Sequence, residues 1–351
     1  MAGVERSRVE MELERVREEL QRSGYSVVRG ILPTTTIMRA RGHLEKCVEK
    51  HLAEAVTKGD LDDACSGLPL EERMASAYHA HPEAAPCSWV PQTRNSFVFQ
   101  QLLFRDSALC GLISALTDGR PVEVASRYNC RCKLPAAAGA SFPWHQDHAF
   151  FRMQYLLKKE APKRLLAAWA PLVHVDAVNG GVELCPASHR LGFQRHGRHR
   201  GFLAVAPDGV LPAAATAESG CELPTLEPGD VLLFTDLTLH RSGLNTSDTA
   251  RWSADWAYEL LDSDPITPML EPPREEASPA EPADVTATVE TAVEQQRWWH
   301  LVRPFWAGLV RMLTARGYLQ RRLAAIAAGT LSVMLCGPAL LKGLRRRTPL
   351  R

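Results

Sequence analysis

A histidine and an aspartate two residues apart, His145 and Asp147, are the first side chains whose types and spacing are typical of metal binding. They lie in residues 143–151 (PWHQDHAFF), which we interpret as part of a strand. Residues i and i+2 of a strand face the same side, so the imidazole and the carboxylate would converge on one metal ion. His-x-Asp is common by chance, so a third ligand is needed to support the prediction.

His240 is the candidate third ligand, because it follows the apolar run 231–234 (VLLF) at the end of a predicted strand. With His145 and Asp147 it would complete a face of two histidines and one carboxylate. Such a face leaves coordination positions open, which suits an iron ion that must bind a chelating cosubstrate and oxygen together.

Two further polar residues follow His240 in the same segment, residues 240–251 (HRSGLNTSDTAR). Arg251 would offer a guanidinium fork to a carboxylate, the group that this geometry recognises best. Ser242 would add a hydroxyl donor to the same carboxylate. The segment therefore predicts both a metal ligand and an anchor for the far end of the cosubstrate.

The combination of these motifs resembles the phytanoyl-CoA dioxygenase family of Fe(II)/2-oxoglutarate oxygenases. The resemblance covers about residues 16–260, and its last motif is long and spaced, hence specific. The matching pieces are GYSVVRGIL at 24–32, HQD at 145–147, AW at 168–169 followed by HVD and NGG, PASH at 186–189, and H-x-S-G-x-N-x-S-x-x-x-R at 240–251.

The resemblance implies a double-stranded β-helix with iron at the mouth of the barrel. It implies His145, Asp147 and His240 as the ligands, which are also the catalytic centre, with Arg251 and Ser242 on the 2-oxoglutarate carboxylate. The cofactors implied are Fe(II), 2-oxoglutarate as cosubstrate, and O2, and the products include succinate and CO2.

Three further positions are interpreted through the same resemblance. It implies an aromatic residue, Trp169, beside the cosubstrate, and a polar residue, Gln146, facing the substrate. A lysine that the family has near the cosubstrate has no definite counterpart, although Lys133 is present. Asp147 takes the place of the small residue found in halogenating members, so the resemblance implies hydroxylation.

The elements that must position these residues form a mainly β fold with N-terminal helices, a jelly roll, plus a C-terminal helical tail. The sequence predicts a helix at 5–22, a strand at 25–32 and a second helix at 34–56 with threonine N-caps. From 97 to 262, short apolar runs between turn residues predict strands.

Composition divides the chain into three parts. Residues 1–262 form the predicted catalytic domain, and 263–292 are rich in Pro, Ala and Glu, which predicts a disordered linker. Residues 293–351 form a tail whose segment 323–341 lacks formal charges and is about 28 Å long as a helix. This segment fits either a membrane-spanning anchor or an amphipathic hairpin that lies on a membrane or packs on the catalytic domain.

Charge and cysteine content limit the partners and the compartment. Lys plus Arg (41) and Asp plus Glu (40) nearly cancel, so no global field would recruit nucleic acid. Nine cysteines without a C-x-x-C pair favour reduced thiols in an intracellular protein. With the tail as an anchor, the catalytic domain would face the cytosol on an organelle membrane. The sequence does not predict the oligomeric state.

Several alternatives remain open from the sequence. The expected substrate is a small organic molecule, acyl-type or lipid-like, whose identity the motifs do not define. A catalytically inactive jelly-roll binding module tethered to a membrane is the competing function, and a cupin-type oxygenase is a third. The basic run at 190–200 is either a lip that grips an anionic substrate or a solvated loop.

Overall fold

The computed structural model describes residues 2–137, 141–158, 163–199, 202–206 and 220–260. The predicted linker 263–292 and tail 293–351, with the candidate membrane segment 323–341, lie outside these residues. No helix within the described ranges combines the length and the apolar character that a membrane crossing requires.

Helices dominate the N-terminal part of the chain, as predicted. They are α1 (Ala2–Ser23), α2 (Thr34–Lys58), α3 (Leu70–Ala77), α4 (Val90–Thr93), a π-helical turn (Val98–Leu103) and α5 (Ser107–Leu116), with strand β1 (Tyr25–Val28) between α1 and α2. The predicted threonine caps are absent: α2 follows Pro33 and has no side-chain cap. Its last turn ends at Gly59 in the left-handed conformation, which satisfies two terminal carbonyl groups.

Strands follow from residue 122 onward. They are β2 (Val122–Lys133), β3 (Leu165–Pro171), β4 (Val182–Leu184), β5 (His196–His199), β6 (Phe202–Val205), β7 (Val231–Thr235), β8 (His240–Ser242) and β9 (Arg251–Leu260). Five of them form an antiparallel sheet in the order β1-β7-β3-β9-β2, and β4 pairs with β8 in a smaller sheet.

The large sheet is buried on both faces. On β9, Trp252, Ala254 and Trp256 join the main hydrophobic core, which includes the apolar side of α2. On β3, the alternate residues Ala167 and Trp169 face a second, smaller cluster with residues of β4. The helices therefore cover one face of the sheet, and the other face is left to enclose a cavity.

A glycine allows α1 to approach the strand that carries His240. Gly24 has a φ of 85°, and a Cβ at this position would lie 2.6 Å from the side chains of both His189 and Thr238. Its carbonyl accepts a hydrogen bond from the Thr238 hydroxyl at 2.7 Å. Any larger residue would push Thr238 away, and the Thr238 carbonyl also holds the His240 ring.

The prediction of strands throughout 97–262 was wrong where the chain forms helical segments, the first of which is the π-helical turn Val98–Leu103. Residues 107–116 form α5, capped by Asp106, whose side chain accepts hydrogen bonds from two backbone amides. Residues 147–158 form a further helix, α6 (Asp147–Lys158). Short apolar runs do not distinguish a buried strand from a buried helix, so periodicity alone was misleading here.

Candidate metal centre and adjoining cavity

The two predicted histidine ligands lie side by side because their backbones pair. His145 and His240 form an antiparallel bridge with hydrogen bonds of 3.0 Å and 3.1 Å between their backbones. Their ring centroids are 4.1 Å apart, and both residues are buried. Residues far apart in sequence thus present two imidazoles at one point.

Asp147 completes the group, although not from a strand as predicted. It is the first residue of α6, where a carboxylate is favoured by the helix dipole. Its Oδ1 atom lies 3.8 Å from Nε2 of His145 and 3.8 Å from Nε2 of His240. The ligand atoms of all three residues lie within 4.8 Å of one another. A single metal ion fits between them.

Backbone carbonyls orient both imidazoles. Nδ1 of His145 lies 2.8 Å from the Pro143 carbonyl, and Nδ1 of His240 lies 3.0 Å from that of Thr238. Each Nδ1 must donate its proton there, so each Nε2 presents a lone pair to the centre, as metal-binding histidines do. Desolvation, followed by the neighbouring His240, lowers the pKa of His145 well below its usual value.

Two cations, Lys133 and Arg251, lie directly opposite each other on β2 and β9. Both are buried, and like charges in opposite positions of a sheet are destabilising. Lys133 donates to Ser242 Oγ at 3.0 Å and to the Gly243 carbonyl. The Arg251 Nε is buried without a hydrogen bond in the described structure. An anion between or beside these two residues would compensate the charge of Arg251 and favour the protonated form of Lys133.

The pKa values show the cost of this pair. Burial, followed by the charge of Arg251, lowers the pKa of Lys133 to about 6. Burial also lowers the pKa of Arg251 to about 10, so Arg251 keeps its charge. At neutral pH the empty site therefore holds a charged arginine beside a largely neutral lysine.

Triad and cations share one cavity of about 190 Å³. Every predicted metal ligand and cosubstrate residue lies on its wall: His145, Asp147, His240, Ser242, Arg251 and Trp169. The guanidinium of Arg251 lies 5.4 Å from the centroid of the Trp169 ring. Lys133 is on the same wall. In the sequence, the polar Lys133 next to the apolar Cys132 on a strand could have indicated that Lys133 faces a polar site. Its pairing with Arg251 depends on the register of β2 and β9, which the sequence does not show.

Gln146, predicted to face the substrate, is fully buried and does not line this cavity. Its amide donates to the carbonyls of Gly192 at 2.9 Å and Leu237 at 2.8 Å, and its Oε1 accepts from the Gln194 backbone at 2.7 Å. The structure therefore replaces the predicted substrate contact with a structural role. Gln146 lies between His145 and Asp147 in the chain. Its side chain therefore points away from the side on which those two ligands meet.

A histidine of the basic run at 190–200, His196, contacts the backbone next to the metal ligands. Nε2 of His196 accepts a hydrogen bond from the Gln146 backbone at 3.0 Å. No described residue of this run lines the cavity, whereas Phe202 of the next strand does. His148 lies 2.7 Å from the buried carboxylate of Asp236, so it fixes the start of α6.

Two histidines from an antiparallel bridge and a carboxylate from the first residue of α6, beside a buried cationic pair, form the ligand set that is typical of non-haem iron oxygenases. The family model of phytanoyl-CoA dioxygenase (PhyH) matches residues 20–253, and the chain belongs to that family. This confirms the predicted family, its enzyme class of 2-oxoglutarate-dependent dioxygenases, and the cofactors Fe(II), 2-oxoglutarate and O2.

The sequence identity between this chain and individual relatives is low. The chain is 31% identical to ectoine dioxygenase of Halomonas elongata over 184 residues, 49% of this chain and 53% of that protein, so it spans about half of that relative. It is 28% identical to 1-deoxypentalenic acid 11-beta-hydroxylase of Streptomyces arenae, over 59% of this chain and 70% of that protein. EvdO2 of Micromonospora carbonacea, solved with 2-oxoglutarate, aligns over 73% of this chain and 96% of its own, with a TM-score of 0.46 and 19% identity.

Proposed function

We propose that the chain is an Fe(II)- and 2-oxoglutarate-dependent dioxygenase that hydroxylates a small organic substrate, acyl-type or lipid-like, and releases succinate and CO2. The observation that carries the proposal is the buried Lys133–Arg251 pair on the same cavity as the His145–Asp147–His240 group. A metal ligand set and an anion site so close together suit one bidentate cosubstrate. The proposal includes a double-stranded β-helix fold, supported by the smaller β4–β8 sheet beside the large one.

The donor set fits iron. Two neutral imidazole nitrogens and one carboxylate oxygen are the ligands of the facial triad of non-haem iron oxygenases. Nε2 of His145 and of His240 and Oδ1 of Asp147 would hold the ion. When bound, the iron supplies the oxidising chemistry, activating oxygen at the expense of the decarboxylation of 2-oxoglutarate.

The protein residues bind and orient the cosubstrate. Arg251 would hold the distal carboxylate, with Ser242 and Lys133 as further donors, because all three converge at one end of the cavity. Trp169 would cover that carboxylate, since the Arg251 guanidinium already lies against its ring. Burial of this end excludes water and strengthens each charge-assisted bond.

The carboxylate of Asp147 favours hydroxylation. A member without it would leave a coordination position for a halide, whereas Asp147 lies within reach of both histidines. Burial, opposed by the neighbouring His240, raises the pKa of Asp147, and a bound cation would favour its ionised form.

We expect the full chain, mixed anaerobically with Fe(II) and 2-oxoglutarate, to develop a weak visible charge-transfer band. After air is admitted, succinate should form slowly, because 2-oxoglutarate is decarboxylated only slowly when no substrate is bound. Absorption spectroscopy and a succinate assay measure the two steps, and omission of Fe(II) is the control. No band and no affinity for 2-oxoglutarate at millimolar concentration would contradict the proposal.

Binding of 2-oxoglutarate at neutral pH is expected to take up about one proton. Lys133 is largely neutral in the empty site, and a carboxylate beside its amine raises its pKa, so the amine becomes protonated on binding. The uptake should disappear below about pH 6, where Lys133 already holds the proton. Calorimetric titration in buffers of different ionisation enthalpy measures it. Lys133→Met should abolish it; an unchanged uptake in that variant would assign the proton to another group.

A further inference from the structure

Strand β2 carries a row of polar side chains along the cavity wall. Alternate residues of β2 line the cavity, and Cys132 also reaches it, whereas Cys130 belongs to the main core and Tyr128 packs against it. We call this set the β2 row; its members are Arg127, Asn129, Arg131 and Lys133. The proposed function uses one end of the row, at Lys133.

The opposite end, at Arg127, is too far away to serve the same group. A strand rises about 3.3 Å per residue, so positions 127 and 133 are about 20 Å apart along β2. Arg127 instead lies near the metal ligands, with its guanidinium carbon 5.2 Å from the ring centroid of Phe150 on α6. It is exposed to solvent, so this end of the cavity is open.

The carboxylate next to Arg127 on this wall is already in use. Asp255 accepts a hydrogen bond from Asn129 at 2.6 Å and one from Arg131 at 3.3 Å. Among the described residues, no carboxylate lies within ion-pair distance of Arg127. Desolvation, partly opposed by the charge of Asp147, lowers the pKa of Arg127. Because the side chain remains exposed, its guanidinium can pair with an anion that enters the cavity from solvent.

We propose that Arg127 is a specificity-determining residue that binds the carboxylate of a small apolar carboxylic acid, the substrate. This inference rests on the proposed function and names its substrate class. The apolar body of the acid would pack on Phe142, Phe150 and Phe202, which line the same cavity, with the first and last rings 4.5 Å apart. A planar guanidinium fork matches a carboxylate in two parallel hydrogen bonds.

The lining and the charge of the cavity support this class. Three phenylalanine rings on its wall favour a substrate with an apolar body beside the metal. With Asp255 bound by Arg131, the substrate end keeps the positive charge of Arg127. A cationic substrate would meet repulsion there, and an anionic one would neutralise it.

The test compares matched probes on the full chain loaded anaerobically with Fe(II) and 2-oxoglutarate. The probes are hexanoate, decanoate and cyclohexanecarboxylate, each with its primary amide, and affinities are measured by calorimetry. We expect the wild type to bind at least one acid about tenfold or more tightly than its amide, as a charge-assisted pair predicts. Arg127→Gln should lose this preference, and Arg127→Lys should retain part of it.

Arg152→Gln is the matched control, because Arg152 also lies over a phenylalanine, Phe193 at 5.3 Å, but does not line the cavity. It should keep the wild-type preference. Wild-type affinities that are equal for each acid and amide would overturn the inference. So would a preference that survives in Arg127→Gln while Fe(II) binding weakens, since Arg127 would then serve as the counter-charge of Asp147. Absence of Fe(II) and 2-oxoglutarate binding in the wild type would instead refute the proposed function.

Discussion

Replacing His240 with alanine is expected to abolish succinate formation and to weaken Fe(II) binding at least about a hundredfold, since even the loss of a group that only supports a ligand costs ten- to a hundredfold. His240 donates its Nε2 to the centre and lies 3.8 Å from Asp147. Its loss leaves one imidazole and one carboxylate, which cannot form a closed ligand face. Anaerobic titration with Fe(II), followed by the succinate assay, measures both effects.

His174→Ala is the matched histidine control for this experiment. Its imidazole is half exposed and lies 2.7 Å from Glu227, outside the cavity. We expect it to bind Fe(II) and form succinate like the wild type. Retention of wild-type Fe(II) affinity in His240→Ala would exclude His240 as a ligand and would require a different metal centre.

The candidate site was largely predictable because its chemistry is encoded in two short segments. His145 and Asp147 are two residues apart, and His240, Ser242 and Arg251 share one motif. Local spacing of this kind survives even when the predicted secondary structure is wrong. Asp147 shows this: it was placed on a strand but begins α6, and its carboxylate still reaches both histidines.

Roles that depend on register were not predictable from the sequence. Lys133 and Arg251 are far apart in the chain and meet because β2 and β9 pair in one particular register. A local pattern contains no information on that register. Gln146 failed for a related reason: its partners, Gly192, Gln194 and Leu237, lie in two distant loops, so burial of its amide could not be foreseen.

The fold followed the sequence where periodicity was long and failed where it was short. The helices predicted at 5–22 and 34–56 appear as Ala2–Ser23 and Thr34–Lys58. The ten-residue helix Ser107–Leu116 buries Leu109, Ile113 and Leu116 at helical spacing, but it is short and apolar over most of its length, so the sequence did not distinguish it from a buried strand. Such a segment is stabilised by tertiary packing, which a local pattern does not reveal.

Arg251→Gln is expected to weaken 2-oxoglutarate binding about a hundredfold or more and, at the same time, to stabilise the empty protein. Truncating one member of a buried charge pair costs about 2–5 kcal/mol of affinity. Without a bound anion, however, Arg251 is a desolvated cation, and its charge adds to the burial that lowers the pKa of Lys133. Removing it relieves both costs, so the free energy of unfolding should rise by about 1 kcal/mol, reduced by the lost hydrogen bond to Ser253. Calorimetry and denaturant unfolding measure the two quantities.

Arg241→Gln separates this effect from a general loss of positive charge. Arg241 lines the same cavity, but it donates two hydrogen bonds to Glu183, at 2.9 Å and 2.7 Å. We expect little change in 2-oxoglutarate affinity and no gain in stability, because its charge is already compensated. A loss of stability in Arg251→Gln with unchanged 2-oxoglutarate affinity would make Arg251 a structural residue. A lower 2-oxoglutarate affinity together with a higher free energy of unfolding in Arg251→Gln would instead show that the cavity keeps an uncompensated charge, which an anion from solution neutralises on binding.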